Sequence, residues 1–475
     1  MKYELVMGLE VHVELATESK IFCSCGGHAA ANEPNDCVCP ACCGMPGMLP
    51  VTNKHAVELA VMAGTLLNCK INQYTTFDKK SYYYPDLPGA YQITQWFNPI
   101  CVEGSVEVTT KSGTRTIGIK QIHMEEDAGK LVHDDWTATS LVDYNRTSVP
   151  LIEIVSKPDF RSGEEVIAYL EKLKSLFRFA KISECEEGAM RCDVNISVRP
   201  EGSDTLGVRS EIKNMSSLSS IARAIEYEAA RHIDALERNT EVLVQETRRY
   251  DDVKGRTFPM RNKETAADYR YFPDPNLMPI IIDDEWIAKI REELPVPAEV
   301  KYEQYVNAGI SEKDAATLTA ERNLCDILDG AVELGCSHKD VAGWLLTDCA
   351  GILRRNNTTI DKLDIAPAKL SKIIDMTNSG DITRVAGKKV LTAVIEKDVD
   401  VESFISENNL TAQNNTDLIA SVVQKVIDAN PAAVADYKNG KTKAIQALMG
   451  GVMRELRGNG DAATVNELII KKLSE

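Results

Sequence analysis

No run of about eighteen apolar residues occurs anywhere in this chain of 475 residues, so a membrane-spanning helix is not expected. The opening Met1-Lys2-Tyr3-Glu4-Leu5 lacks a basic stretch leading into an apolar one, so a secretory leader is not expected either and the cytoplasm is the expected location. An excess of positive charge is also missing. The 54 Lys and Arg against 71 Asp and Glu leave a net charge of −17, which argues against charge-driven adhesion of the whole surface to nucleic acid or anionic membrane. Internal repeats and long low-complexity tracts are lacking, as in a soluble globular protein of roughly two to four domains. The 13 cysteines are odd in number and lack a secretion signal, which disfavours a disulfide framework. Neither common phosphate-binding fingerprint is present. Gly440-Lys441-Thr442 has Ala435 where a P-loop needs its first glycine, and no Gly-x-Gly-x-x-Gly follows a strand.

What is present begins with Gly8-Leu9-Glu10-Val11-His12-Val13-Glu14-Leu15. In a strand, side chains alternate faces, so Leu9, Val11 and Val13 bury while Glu10, His12 and Glu14 stand in a row opposite. That row suits a divalent metal, or equally the solvated face of an edge strand. Up to about residue 293, β-branched runs such as Ser105–Thr109, Thr116–Ile119 and Val194–Val198 alternate with turn signals. Only a few helices interrupt them, among them Glu164–Ala180 and Ser216–Asn239. Leu294-Pro295-Val296-Pro297 reads as a stiff connector, after which the pattern is helical almost throughout. A polar break near Asn408–Asn415 precedes a helical tail with Asp417–Asn430, Ala432–Leu456 and Thr464–Leu473.

Four clusters carry chemistry. Cys23-x-Cys25 and Cys39-x-x-Cys42 can set four thiolates tetrahedrally around a structural zinc, with Cys37 and Cys43 as spare sulfurs and His28 as a loop residue. Reduced cysteines in a loop are the alternative. His123-Met124-Glu125-Glu126-Asp127-Ala128-Gly129-Lys130 suggests magnesium and phosphate at a strand end, or a solvated acidic turn. On the strand Met190–Ile196, Arg191, Asp193 and Asn195 share a face; on the next, Arg209, Glu211 and Lys213 do. Such alternation fits metal and phosphate ligands or an ion-paired surface sheet. Finally, Gln245–Tyr250, Met260–Glu264 and Asp268–Pro275 interleave arginines with aromatics, a weak sign of phosphate grip and ring stacking.

Together these strings resemble the B subunit of the tRNA-dependent amidotransferase (GatB/GatE family) over essentially the whole chain. The resemblance rests on Gly8–Leu15, the four cysteines with Gly44-Met-Pro-Gly, Tyr83-Tyr-Pro-Asp-Leu-Pro, His123–Lys130, Asp143-Tyr-Asn-Arg, Met190–Asn195, Ser210-Glu-Ile-Lys-Asn, Gln245-Glu-Thr-Arg-Arg and Asp268–Pro273 in one order. It implies an α+β chain: an antiparallel-sheet-rich, cradle-like catalytic domain (1–293) with a zinc-binding insertion near 23–43, a helical domain (294–405) and a tRNA-binding tail (406–475). It further implies a ligase that uses ATP to phosphorylate the side-chain carboxylate of glutamyl-tRNA(Gln) or aspartyl-tRNA(Asn). Ammonia from a partner glutaminase, the amidase or A subunit, then amidates that carboxylate, while a small C subunit links the two in a heterotrimer. An ATP-dependent ligase for a small carboxylate is the alternative. On this reading Glu10, His12, Glu125 and Glu211 are the catalytic metal ligands for Mg2+, with Asp193 as a further or outer ligand. Lys79, Arg191 and Lys213 hold phosphate, and Cys23, Cys25, Cys39 and Cys42 hold Zn2+. Lys438, Lys441, Lys443, Arg454 and Arg457 form a local basic surface for the tRNA backbone, or a solvated helix face.

Overall fold

The computed structural model describes residues 2–27, 33–134, 136–186, 188–262, 268–412, 416–438, 444–456 and 462–474. His28, Lys263, Glu264, Gln413 to Asn415, the Gly440-Lys441-Thr442 string, Lys443 and Arg457 lie outside the described residues. The chain forms two compact units, Met1–Pro295 and Val296–Glu475.

The first unit holds strands β1 (Tyr3–Glu14), β2 (Lys70–Ile71), β3 (Tyr74–Thr75), β4 (Asp78–Ser81), β5 (Tyr91–Thr94), β6 (Cys101–Thr110), β7 (Gly113–Glu126), β8 (Lys130–Asp134), β9 (Thr139–Asp143), β10 (Pro150–Ser156), β11 (Met190–Pro200), β12 (Ser210–Lys213), β13 (Glu246–Asp251), β14 (Arg256–Asn262), β15 (Phe272–Pro273) and β16 (Ile280–Ile281). Helices α1 (Lys54–Leu66), α2 (Gly163–Phe179), α3 (Leu218–Arg238) and α4 (Asp284–Glu293) intervene. Nine strands make one sheet in the order β14-β13-β12-β11-β1-β10-β7-β6-β2. The N-terminal strand is therefore central, antiparallel to both β10 and β11. Among the described residues only β12 and β13 run parallel within this sheet, and α3 lies between them in sequence, because a parallel pair needs a crossover.

One face of β1 is apolar: Met7, Leu9, Val11 and Val13 are all buried in a core shared with Leu170, Leu173 and Phe177 of α2 and Ala224 and Ile225 of α3. Those helices start where the sequence offers a cap. Ser162 accepts the Glu165 N–H, and Ser217 accepts the Ser220 N–H at 3.1 Å. At its far end α3 stops on Asn239 in the left-handed conformation (φ 51°), which asparagine tolerates well. β15, β4 and β5 form a separate three-stranded sheet.

Every described element of the second unit is helical, so the fold is α+β. Within the stretch Ala432–Leu456, expected to be helical, the described residues form helices over Pro431–Lys438 and Ala444–Glu455. Ile419, Val423, Leu448, Val452, Val465 and Ile469 close a core of their own within this tail.

Candidate functional site

Period-two alternation fixes which side chains of the large sheet meet. In register across four strands lie His123 (β7), Glu153 (β10), His12 (β1) and Arg191 (β11). Two residues along β1, Glu10 pairs with Asp193 of β11. The polar row foreseen on β1 thus faces polar groups from its neighbours, not solvent alone.

Two donor groups result. In the first, the single oxygens or nitrogens offered by His12, Glu125 and Glu153 all lie within 4.8 Å of one another. His12 Nε2 is 3.5 Å from Glu125 and 3.4 Å from Glu153, and His123 Nε2 is 3.1 Å from Glu153. In the second, Glu10, Asp193 and Glu211 converge within the same 4.8 Å limit. Asn195 donates to Glu10 at 3.0 Å, Thr247 donates to Glu211 at 2.8 Å, and Lys213 pairs with both Asp193 and Glu211. The predicted ligands are brought together, but as two adjoining groups rather than one, and Asp193 stands level with Glu10 and Glu211.

Their electrostatics suit a cation. Burial pushes the Glu10 carboxyl above its ordinary value, and Glu153 and Glu211 push it further against the pull of Lys213. Burial lowers the pKa of His12, but the Glu153 hydrogen bond and the charges of Glu125 and Glu153 outweigh it and lift it to about 9. Protons are thus held where negative charge is in excess. Three carboxylates of the second group are hard oxygen donors of the kind Mg2+ takes, and the first adds an imidazole that also suits Mn2+.

The remaining candidates divide. Arg191 pairs with Asp127 at 2.6 Å, and Arg146 approaches the same carboxylate at 3.3 Å. Lys79 lies over the Tyr91 ring at 4.2 Å and 3.9 Å from Asp274, with no contact to either donor group among the described residues. Glu125, Glu126 and Asp127 are all buried, so this string is no solvated turn. Glu126 accepts from Ser148 at 2.6 Å and from the Ile93 N–H at 2.9 Å, and burial lifts its carboxyl to about 7. Glu153 is the functional candidate that sequence reasoning missed, and His123, read there only as part of the acidic string, is its partner. The available signal was a lone glutamate inside the apolar run Pro150-Leu-Ile-Glu-Ile-Val, since an unpaired carboxylate is costly there.

Cys23, Cys25, Cys39 and Cys42 also gather within 4.8 Å. Cys39 and Cys42 sulfurs are 3.8 Å apart, which matches the separation of about 3.8 Å that tetrahedral Zn–S bonds of ~2.3 Å would give. Hydrogen bonding from Cys23, the Cys39 N–H and the charge of Lys20 lower the pKa of Cys42 to about 4 against the effect of burial, a shift that favours its thiolate form. Cys37 turns away: its N–H donates to Asn145 at 2.8 Å and its sulfur meets the Gly26 carbonyl.

Fold and site together define an α+β protein with paired acidic donor groups on a central antiparallel strand and a four-cysteine knuckle in the same unit. Residues 5–288 match the family model described as the GatB/GatE catalytic domain, and residues 326–473 match that of the GatB domain. The chain belongs to the GatB/GatE family. Similar proteins include one from Agathobacter rectalis, 48% identical over 474 residues (99% of each chain), named as the B subunit of aspartyl/glutamyl-tRNA(Asn/Gln) amidotransferase. Proteins with the same name from Lachnoclostridium phytofermentans (100% of this chain, 99% of that one) and Caldicellulosiruptor bescii (all of both chains) are each 45% identical. Among the described residues no helix is long and apolar enough to cross a membrane.

Proposed function

We propose that the chain is the ATP-using subunit of a tRNA-dependent amidotransferase. The observation that carries this reading is the pairing of the His12/Glu125/Glu153 and Glu10/Asp193/Glu211 donor groups around a single strand. The side-chain carboxylate of an aminoacyl-tRNA cannot be amidated directly, because oxide would have to leave. Attack of that carboxylate on the γ-phosphorus of ATP breaks the bond to ADP and makes an acyl phosphate. Ammonia then adds to the carbonyl carbon, the C–O bond to phosphate breaks, and nitrogen loses a proton to give the amide.

Phosphoryl transfer asks for alignment and charge neutralisation more than for covalent help. We assign Glu10, Asp193 and Glu211 to one divalent metal and His12, Glu125 and Glu153 to a second position. Metal held there would offset the charge on the nucleotide's phosphates. Lys213, already turned toward Asp193 and Glu211, is the cation best set to meet a phosphate oxygen. Arg191, committed to Asp127, orients that carboxylate instead, and Lys79 is left for a nearby role. Cys23, Cys25, Cys39 and Cys42 we assign to structural zinc. Ammonia comes from a partner amidase, with a small third polypeptide linking the two. Domains 1–293, 294–405 and 406–475 divide the work into catalysis, connection and tRNA grip in the cytoplasm. In the assembled complex, ATP hydrolysis should rise on adding mischarged tRNA. Stimulation by free glutamate or aspartate instead would overturn the reading in favour of a small-molecule ligase.

A further inference from the structure

Aromatic residues are sparse in this chain, at 6%, yet five of them form a connected train on the segments that flank β4, β5 and β15 of the small sheet. Trp96 stacks on Tyr271 with ring centroids 4.4 Å apart and planes within 9°. Tyr271 meets Tyr269 at 6.0 Å, Tyr269 meets Tyr82 at 6.0 Å, and Tyr82 stacks on Tyr84 at 5.9 Å. A soluble surface rarely leaves such a group uncovered, yet Trp96 is 55% exposed, Tyr84 45% and the adjoining Tyr83 92%.

The backbone beneath the rings is fixed. Asp78 accepts from the N–H groups of Trp96 and Phe97 at 2.7 and 3.0 Å, and the Ser81 N–H donates to the Tyr269 carbonyl at 2.8 Å. Arg270, between two of the tyrosines, sits at φ 46°, a left-handed conformation that costs a non-glycine residue energy and that clusters at functional sites. Cations interleave with the rings: Lys80 lies 5.1 Å over Tyr269, Lys79 4.2 Å over Tyr91, and Arg270 is exposed.

The small sheet is tied to the strand that carries Glu125. β5 is tied to the end of β7 by the Ile93 N–H and the Gln92 amide, both donating to Glu126, the residue after Glu125. Burial and Tyr269 raise the pKa of the Tyr271 phenol, and Glu153 and Glu125 are the next charges acting on it. The end of the train at Tyr83 and Tyr84 is open to solvent.

A train of rings with interleaved cations is how proteins hold unpaired nucleotides, since every base has a face to stack and every phosphate a charge to meet. The reacting side-chain carboxylate belongs to an amino acid whose α-carboxyl is esterified to the terminal ribose, so the last nucleotides must run outward from wherever phosphoryl transfer happens. We propose that Tyr82, Tyr84, Tyr269 and Tyr271 form the stacking platform for the unpaired acceptor end of the tRNA, with Lys80 and Arg270 facing its phosphates. This rests on the function proposed above and adds the residues that grip the substrate's single-stranded end.

The test uses the assembled complex and two RNAs: the intact tRNA and the same tRNA trimmed of its unpaired 3′ nucleotides. Wild-type complex should bind the trimmed RNA on the order of tenfold more weakly. Tyr82→Ala/Tyr269→Ala should lose a similar factor on intact tRNA and little more on the trimmed one. Tyr82→Phe/Tyr269→Phe should keep wild-type affinity, because a phenyl ring stacks as well. Tyr84→Ala, which removes an exposed ring, should give the same pattern without burdening the core. Equal loss on both RNAs, wild-type affinity in the alanine variants, or dissociation of the complex on size exclusion with Tyr84→Ala would overturn the proposal; the last would show that the rings cover a protein partner. A wild-type complex that neither binds nor amidates the charged tRNA removes the functional reading as well. Binding and amidation that tolerate all the alanine variants remove only the ring assignment.

Discussion

Glu153 is where two histidines converge, and its carboxyl is held well below the usual range by His123 and His12 against the cost of burial. Removing its charge leaves His12 with a weaker reason to hold a proton and the donor group one carboxylate short. Glu153→Gln should therefore cut amide formation at least about a hundredfold even with free ammonia supplied, and weaken Mg2+ or Mn2+ binding by a comparable factor in a calorimetric titration. Activity near wild type in that assay would remove Glu153 from the site. At this scale the sequence was half legible. Glu10 and His12 could be read from alternation within one octapeptide, because a strand's period needs no partner to be recognised. Glu153 could not, since its meaning depends on which residue β1 sets opposite it, and that register joins positions far apart in the chain.

Helix α3 joins the parallel pair β12 and β13 and carries a buried charge network onto their surface. Glu228, fully buried, accepts from Arg231 at 2.5 Å and Thr257 at 2.7 Å, and lies 3.3 Å from His232 and 3.5 Å from Arg248. Burial alone would raise its pKa, but hydrogen bonds from His232 and Arg231 outweigh it and hold the carboxyl far below its ordinary 4.5. A carboxylate with a depressed pKa stabilises the fold above that ordinary value and loses the contribution as pH falls below it. The thermal midpoint of wild type should hence exceed that of Glu228→Gln most at neutral pH, with a deficit of roughly 3–5 kcal/mol in the variant, and the gap should narrow as pH drops below about 4.5. A gap independent of pH would deny the network its electrostatic role. The span of α3 was legible from its apolar spacing. Its part as a crossover was not, because which strands lie side by side, and in which direction, is set by long-range pairing that helical spacing does not report.

Over the whole molecule, a net charge of −17 means that grip on a polyanion must be local. The helical tail has a core of its own around Ile419, Leu448 and Val465. Ending the chain near residue 405 should raise the KM for tRNA by about tenfold or more while amide formation persists at saturating tRNA with ammonia. An unchanged KM would separate the tail from tRNA binding. The charge balance legible in the sequence gave the sign of this constraint but not the place where RNA rests, which depends on side chains gathered from distant strands. The central position of β1 carries one more consequence. Leu9, Val11 and Val13 bury on one face while Glu10 and His12 meet β10 and β11 on the other, so a slip of one residue would drive both proposed ligands into oil and turn three core residues toward water. Misassembly at this strand therefore forfeits stability and chemistry together, and a chain that folds at all has already had its catalytic register proofread.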